Sequence, residues 1–358
     1  MSDEIYYSIA LTRLTGVNHA TLVQTYREMG SAEAVYEQTK DRIQWDDALH
    51  RAAAEMEFIT KSGIQVLTLQ DPAFPRRLSE CQDAPIVLYY IGTADLNQLH
   101  IINIVGTRQC TSYGQDMIRR FVSDLELMCP NVLIVSGLAY GVDICAHRQA
   151  LEHGFETVGV LAHGLDQIYP NQHRATAAEM VKNGGLLTEY MSQTQALPNN
   201  FRQRNRIVAG LSDATILVES AYKGGGLITC RIAQEYGRDV FAFPGNVGMP
   251  YSEGCNRMIR NNTAALITSA HDFIESMGWE DRSKMADGKN KVVERELFVE
   301  LTPEEQHVVD ALTKTNDLQL NMISVQTNIP IGQLAALLFQ LEMKGVVKAY
   351  AGGTYHLL

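Results

Sequence analysis

The sequence has few of the features that mark exported, membrane-spanning or metal-binding proteins. Its 358 residues include six cysteines, none in a C-x-x-C pair or at a Cys/His spacing that indicates zinc. No apolar run approaches the length needed to cross a bilayer, and the N-terminal stretch MSDEIYYSIALTRLTG lacks the layout of a signal peptide. We therefore expect a cytoplasmic protein with reduced thiols and no metal site.

Positive charge is also scarce. The chain carries 30 Lys and Arg against 41 Asp and Glu, a net charge of −11, which argues against a surface that binds polyanions generally. Residues 101–275 are closer to neutral, with 14 basic and 16 acidic residues. Their cations are grouped in short motifs, so any anion-binding function should be local.

The common signatures of nucleotide and ester chemistry are missing. There is no G-x-x-x-x-G-K-[ST], no G-x-G-x-x-G after the first strand of the central region, and no G-x-S-x-G. Asp143, His147 and His163 could be acid–base groups. However, Asp143 near a helix start is better explained by the helix dipole, and His147 by packing within that helix. No carboxylate pair has metal-ligand spacing.

Changes in composition and periodicity divide the chain into four predicted segments. Residues 1–65 predict a small helical domain of the sterile-alpha-motif or helix-hairpin-helix type, which could either hold a DNA phosphate or only pack. Residues 66–280 form the predicted central domain, and the charged residues 281–300 a linker. Residues 301–358 read as three helices and a hairpin, the pattern of a winged helix.

The central domain alternates apolar strands with amphipathic helices. The strands INIVG, VLIVSG, ETVGVLAHG, LLTEY, ATILVES and DVFAFPG are apolar enough to be buried on both faces. Right-handed crossovers between them predict an α/β fold with a Rossmann-like, doubly wound, mostly parallel sheet.

Small or polar residues follow nearly every one of these strands. Because the carboxyl ends of parallel strands share one edge, these residues should gather where ligands bind. In KGGGLIT, the amides of Gly224, Gly225 and Gly226, the Thr229 hydroxyl and the Lys223 charge would form a phosphate site. The alternative is a tight turn without a ligand.

A second cationic motif is NNFRQRNRIVAGLS. If FRQRN is extended, Arg202, Arg204 and Arg206 point in one direction and suit successive phosphates, with Arg206 the one most expected to be structural. The alternative is a solvated loop with internal ion pairs. Nearby aromatic residues that could stack on bases are Tyr140, Tyr169, Phe201 and Tyr222.

Six motifs, in this order, resemble the DNA-processing protein A (DprA/Smf) family. They are IVGTR, SGLAYGVDICAH, HGLDQIYP, NNFRQRNRIVAGLS, SAYKGGGLIT and FPGN, within a resemblance that spans roughly residues 64–275. The resemblance implies a homodimer, without catalysis or a cofactor, that binds and protects single-stranded DNA. It also implies loading of the recombinase RecA during natural transformation, the uptake of DNA by competent cells.

The resemblance also implies which residues bind the strand. Those carried over are Gly106, Thr107, Arg108, Ser136, Gly137, Gly141, Arg202, Arg204, Asn205, Arg206, Lys223, Gly224, Gly225, Gly226 and Thr229. Thr107 stands where the family often has serine, a change that keeps the hydroxyl.

One further departure from the family pattern and two alternative functions remain. The presumed recognition helix IGQLAALLFQLEMKG has no arginine, so we expect the winged helix to contact protein, or its own core, rather than DNA. A phosphoribohydrolase-like Rossmann enzyme is the alternative function, but Ile232 stands where its catalytic glutamate should be. A sensor of small nucleotides using the same site is a third interpretation.

Overall fold

The computed structural model describes residues 3–14, 16–279, 301–314, 318–350 and 354–357. The chain divides into two compact units, residues 1–284 and 285–358. The linker predicted over residues 281–300 lies outside the described residues, and the four-domain division remains a prediction. Among the described residues, no helix combines the length and apolar character that crossing a bilayer requires.

Four helices begin the first unit: α1 (Asp3–Leu11), α2 (His19–Met29), α3 (Ala32–Thr39) and α4 (Asp46–Ser62). The Asn18 side chain caps α2 and the Ser31 side chain caps α3, each accepting a hydrogen bond from a first-turn amide. Gly30 and Gly63 end α2 and α4 in the left-handed conformation. The helices share one apolar core with the strand pair that follows them.

A nine-stranded sheet forms the centre of this unit. Its strands are β1 (Gln65–Thr68), β2 (Val87–Gly92), β3 (His100–Val105), β4 (Val132–Ser136), β5 (Thr157–Val160), β6 (Gly184–Thr188), β7 (Ala214–Leu217), β8 (Asp239–Ala242) and β9 (Ala265–Leu266). Their order is β1-β2-β6-β5-β4-β3-β7-β8-β9. From β6 to β9 all pairs are parallel, while β2 pairs antiparallel with β6 and β1 with β2. The predicted doubly wound, mostly parallel sheet is confirmed.

Helices cover both faces of the sheet. They are α5 (Arg76–Ser79), α6 (Ser112–Met128), α7 (Val142–Glu152), α8 (Arg174–Lys182), α9 (Pro198–Leu211), α10 (Gly226–Glu235), α11 (Glu253–Arg260) and α12 (Ala270–Met277), with a 3₁₀ turn at Asn171–His173. One apolar cluster includes residues of α9 and α10, and another those of α6, α7 and α12. This coverage explains why the strands are continuous apolar runs.

The strand order reverses between β3 and β7. From β3 the chain proceeds through β4 and β5 to β6, then returns to β7 on the other side of β3. The connections that leave β3 and β7 therefore diverge to opposite faces at the carboxyl edge. In open α/β sheets this divergence creates the ligand-binding crevice.

The second unit contains three helices and a small sheet. Its elements are α13 (Pro303–Lys314), β10 (Leu318–Gln319), α14 (Leu320–Thr327), α15 (Ile331–Met343), β11 (Val347–Tyr350) and β12 (Thr354–Leu357). Thr302 and Glu305 form a reciprocal capping box at the start of α13. The winged-helix prediction is confirmed.

Candidate nucleic-acid interface

A cavity of about 500 Å³ occupies the reversal point between β3 and β7; we call it the switch crevice. Its walls come from the loops after β3, β4 and β7 and from the first turns of α9 and α10. The predicted site residues that line it are Gly106, Thr107, Arg108, Gly137, Arg202, Arg204, Asn205, Lys223, Gly224, Gly225, Gly226 and Thr229. Motifs separated by more than 100 residues therefore meet in one crevice.

The loop after β3 is fixed by backbone contacts on two sides. The Thr107 amide donates to the Glu219 carbonyl oxygen at 2.7 Å, and the Thr107 carbonyl oxygen accepts from the Val142 amide at 3.1 Å. Gly141, at the start of α7, has φ +77°, and a Cβ there would lie 2.2 Å from the Thr107 oxygen. Gly141 thus supports the loop from behind while Arg108 stays exposed to solvent.

The glycine-rich loop forms the opposite wall. Of the three glycine amides predicted to bind phosphate, that of Gly224 donates to the Ala221 carbonyl oxygen at 3.0 Å, and the Leu227 and Ile228 amides donate to the carbonyl oxygens of Gly224 and Gly225. Because α10 begins at Gly226, the amides of Gly225 and Gly226 lie at the positive end of the helix dipole. A Cβ on Gly226 would lie 3.1 Å from the Gly106 Cα, so these two glycines bring the walls together. Gly225 faces open space, and Lys223 is exposed with no ion pair to any described residue.

The arginine motif is helical, which corrects the expectation of an extended segment with all three arginines on one side. Pro198 occupies the first turn of α9, and the helix continues through the three arginines. At about 100° per residue, Arg202 and Arg206 lie on one side of the helix and Arg204 on the other. Arg202 is exposed, whereas Arg204 is only 3% exposed.

Arg204 is a structural cation at the base of the crevice. Its Nη1 donates to the Gly137 carbonyl oxygen at 2.7 Å and to the Val160 carbonyl oxygen. Gly137 is required because a Cβ there would lie 2.3 Å from the guanidinium. Burial raises the pKa of the neighbouring Asp143 carboxyl, while the charge of Arg204 acts in the opposite direction. Arg204 therefore stabilises the loops at the base of the crevice and is not expected to bind a phosphate.

Arg206 is also not free. It forms an ion pair with Glu189, its side chain is 13% exposed, and it lines a different cavity from the switch crevice. The sequence analysis expected Arg206 to be structural, which agrees with this geometry. It did not expect the same of Arg204. The burial of Arg204 and the ion pair of Arg206 therefore correct the expectation that these two side chains bind the strand directly.

Three further predicted site residues have limited access to a ligand. Ser136 is fully buried and donates to the Ile104 carbonyl oxygen at 2.6 Å, so it cannot contact a strand directly. Thr229 lines the crevice but is only 3% exposed. Asn205 lines it as well, and its Oδ1 accepts from the Arg204 Nε at 3.4 Å.

Aromatic side chains connect the cations of the crevice. The guanidinium carbon of Arg108 lies 5.1 Å from the ring centroid of Phe201, and that of Arg204 lies 5.9 Å from it. Tyr169 packs edge-on against Phe201 at 5.9 Å and remains 47% exposed. The sequence identified Phe201 only as one of four aromatics, and nothing in it predicted contact with two arginines.

Sequence reasoning missed Glu219, the acidic residue after β7. Glu219 is buried, and its carboxylate accepts from the Thr111 hydroxyl at 2.6 Å and from the Thr111 amide at 2.8 Å. Thr111 is the N-cap residue of α6. Its position directly after an apolar strand was the available signal. The carboxylate is thereby held by the start of α6.

The other titratable groups near the crevice are poorly suited to chemistry. Burial lowers the pKa of His147 to about 3 and raises that of the Cys110 thiol. His163 is buried, and its Nε2 accepts from the Tyr169 amide at 3.2 Å. Within the described residues, no three His, Cys, Asp or Glu side chains are grouped so as to hold a metal ion.

The chain is similar to proteins of known classification along most of its length. A family model described as DNA recombination-mediator protein A matches residues 65–278, and a DprA winged helix domain model matches residues 299–353. Identity is 38% to DNA processing protein DprA of Streptococcus pneumoniae, covering 58% of this chain and 72% of that protein. It is 33% to Protein Smf of Synechocystis, covering 81% and 79%.

Two solved structures are similar in fold and sequence. The structure of DprA from Streptococcus pneumoniae has a TM-score of 0.67 and 32% identity, covering 77% of this chain and 98% of that chain. A structure described as showing the single-stranded DNA binding mode of DprA from Helicobacter pylori has a TM-score of 0.54 and 29% identity, covering 60% and 95%.

Proposed function

Because the chain belongs to the DNA recombination-mediator protein A (DprA/Smf) family, we propose that it binds single-stranded DNA in the switch crevice without catalysing a reaction on it. It protects the incoming strand during DNA uptake and loads a RecA-type recombinase onto it, as a homodimer in the cytoplasm.

One observation carries this proposal. Arg108, Arg202 and Lys223 are exposed around the switch crevice, and none forms an ion pair with a described residue. They surround the amides of Gly225 and Gly226 at the positive end of the α10 dipole, which favour a phosphate. Cations left unpaired around helix-terminal amides fit the spaced charges of a nucleic-acid backbone.

The geometry favours a single strand over a duplex. Exposed Tyr169, which lines the crevice, offers a ring face to an unstacked base. A duplex offers no unpaired base to such a ring. Fluorescence anisotropy with labelled single- and double-stranded oligonucleotides of one sequence tests this directly, and equal or tighter duplex binding would contradict it.

Strand binding without catalysis is supported by the state of the nearby acids. Asp143 is buried beside Arg204, and Glu219 is engaged by Thr111. Ile232, in place of a catalytic glutamate, packs against the apolar core. Incubation with nucleoside monophosphates should therefore release no free base, and release of base would favour the phosphoribohydrolase alternative.

Recombinase loading and the role of the winged helix need separate experiments. Adding the protein to single strands coated with single-strand-binding protein should shorten the lag before a RecA-type filament forms, and an unchanged lag would refute loading.

Among the described residues of the winged helix, Phe339 and Met343 are exposed on α15. This apolar surface supports the proposal that the domain contacts protein rather than DNA, and deleting residues 301–358 should leave strand affinity unchanged.

A further inference from the structure

The loops that follow β4 and β5 form part of the switch crevice and then leave it in the same direction. Ala139, after β4, and Tyr169, after β5, both line the crevice. The two loops lead into α7 and α8, which pack against each other through a shared apolar cluster. The surface formed by Tyr140, Arg148 and Arg174 on these elements therefore continues from the crevice; we call it the α7–α8 flank.

Two exposed arginines lie on the α7–α8 flank. Arg174 is the first residue of α8, and Arg148 lies on α7, about 9 Å along the helix axis from its start at Val142. The Arg148 Nε donates to the Thr176 hydroxyl oxygen at 3.5 Å, so this guanidinium lies beside the first turn of α8. Both arginines are exposed, and neither forms an ion pair with a described residue. Two cations without a counter-charge are thus gathered at the start of α8.

An exposed aromatic ring adjoins both the crevice and these cations. Tyr140 directly follows Ala139 and is 40% exposed. Its ring meets that of His173 edge-on, with 5.1 Å between the centroids, and His173 directly precedes Arg174. The His173 Nδ1 donates to the Leu138 carbonyl oxygen at 2.8 Å, which joins the two loops. The flank therefore places an exposed ring next to positive charge.

Acidic side chains are found mainly at the far end of the flank. Because α7 and α8 follow parallel strands, both helices begin at the carboxyl edge and run away from the crevice. Glu152 ends α7 and accepts from the Gln149 Nε2 at 2.7 Å, and Glu179 lies beyond Arg174 on α8. Asp166 lines a shallow hollow with Arg174, but no ion pair joins them. A strand that leaves the crevice over this flank meets the cations before Glu152 and Glu179.

Another way out of the crevice, past Arg202, suits a polyanion less well. It opens into a cavity of about 590 Å³ whose lining includes as many carboxylates as arginines. The arginines are Arg13, Arg202 and Arg206, and the carboxylates are Asp83, Glu189 and Glu235. Attraction and repulsion of a phosphate largely cancel in such a lining. The α7–α8 flank is therefore the more favourable exit.

We propose that the single strand leaves the switch crevice over the α7–α8 flank, where Tyr140 stacks on one base and Arg148 and Arg174 each bind a phosphate. Aromatic stacking combined with cations along the backbone is how proteins bind single strands without reading their sequence. Only a strand longer than the crevice reaches these residues. This inference rests on the proposed function, because the crevice holds the rest of the strand.

Strand length separates the flank from the crevice. The test compares labelled oligothymidylates of about five and about twelve nucleotides, which lie within the usual range of single-strand sites. At about −0.7 per phosphate contact, log affinity against log salt should have a slope of about −2 for the short strand and about −3.5 for the long strand. Combining Arg148→Gln with Arg174→Gln should return the long-strand slope to about −2 and leave short-strand affinity unchanged.

The matched control removes the same charge elsewhere. Lys182→Gln combined with Arg231→Gln neutralises two exposed cations, one at the far end of α8 and one on α10, which covers the other face of the sheet. Neither residue lines the switch crevice. This control, and the charge-retaining pair Arg148→Lys with Arg174→Lys, should both keep the long-strand slope near about −3.5.

The role of Tyr140 is tested through its ring. Tyr140→Ala should weaken binding of the long strand about fivefold or more, the lower range for the stacking of one base. Tyr140→Phe keeps the ring and should bind the long strand as the wild type does. Neither substitution should change the affinity for the short strand.

The outcomes separate this inference from the function on which it rests. Equal slopes for the short and long strands, or a long-strand slope that the Arg148→Gln and Arg174→Gln pair leaves unchanged, overturn the flank and leave binding in the crevice intact. Weaker short-strand binding by that pair would also overturn it, because the arginines would then act within the crevice. No binding of either strand overturns both proposals.

Discussion

The affinity of the switch crevice for a single strand should depend on salt through three cations, although its motifs contain five. Arg108, Arg202 and Lys223 are exposed without ion pairs, whereas Arg204 is buried and Arg206 is paired with Glu189. Each phosphate contact on a single strand contributes about −0.7 to the slope of log affinity against log salt. Three contacts give a slope of about −2, and five would give about −3.5.

This difference is large enough to measure. Between 50 and 200 mM salt, a slope of about −2 lowers affinity by roughly 20-fold, and a slope of about −3.5 by roughly 130-fold. Anisotropy titrations at four or five salt concentrations, with a labelled strand short enough to occupy one crevice, distinguish the two. The backbone amides of α10 carry no net charge, so they contribute affinity but little salt dependence.

A single neutral substitution provides the internal check. Lys223→Gln should reduce the slope to about −1.4 and weaken binding by about 1–3 kcal/mol. Lys182→Gln is the control, because Lys182 ends α8 two residues before β6 begins and therefore lies at the opposite edge of the sheet. A wild-type slope near zero, a slope near −3.5, or equal effects of the two substitutions would each refute the three-cation account.

Three further predictions concern stability. Gly141→Ala should destabilise the protein by more than about 2 kcal/mol in urea denaturation, because the new Cβ would lie 2.2 Å from a backbone oxygen at positive φ; Gly154→Ala, at φ +73° with nothing within 4 Å, should cost about 1 kcal/mol. Glu55→Ala should cost about 1–3 kcal/mol, because the buried Glu55 carboxylate accepts from the Ser192 amide at 2.9 Å and hydroxyl at 2.6 Å; an unchanged urea midpoint would contradict this. Since burial lowers the pKa of His147 from 6.5 to about 3, only the unfolded chain binds this proton between those values, so stability should fall as pH falls below 6.5. A His147→Gln variant should lose less stability between pH 7.5 and 5, and an identical pH profile would exclude His147 as a source.

The strands and their class could be predicted because both faces of the sheet are covered. Burial on both sides makes each strand a continuous apolar run, and a helix between runs forces parallel pairing. The order of strands could not be predicted in this way. The reversal that makes β7 a neighbour of β3 depends on tertiary packing, because it is set by which helix covers which face of the sheet. This reversal brings Arg108 and Lys223 to the same crevice.

The arginine motif shows why the roles of individual side chains were harder to predict. Alternating charged residues fit a strand with one cationic face as well as a helix. Pro198 at the first turn of a helix was the local signal for the second possibility. In the helix, Arg204 faces the sheet, where the absence of a side chain at Gly137 makes room for its guanidinium. The packing of Arg204 against Gly137 joins two residues that are distant in the sequence, so no local sequence pattern predicts it.

A net charge of −11 does not prevent this crevice from attracting a polyanion, because acids near the crevice are engaged by the fold. Glu219 is hydrogen-bonded to Thr111, the N-cap of α6, and Asp143 lies beside Arg204. At physiological salt, exposed charges beyond about 8 Å are largely screened, so the strand responds to its immediate surroundings. The exposed charges that line the crevice are Arg108, Arg202 and Lys223, while the lining Asp143 is buried, so the local potential is positive within an acidic chain. Binding follows from which charges remain unpaired, and that selection is made by hydrogen bonds such as the one from Thr111 to Glu219.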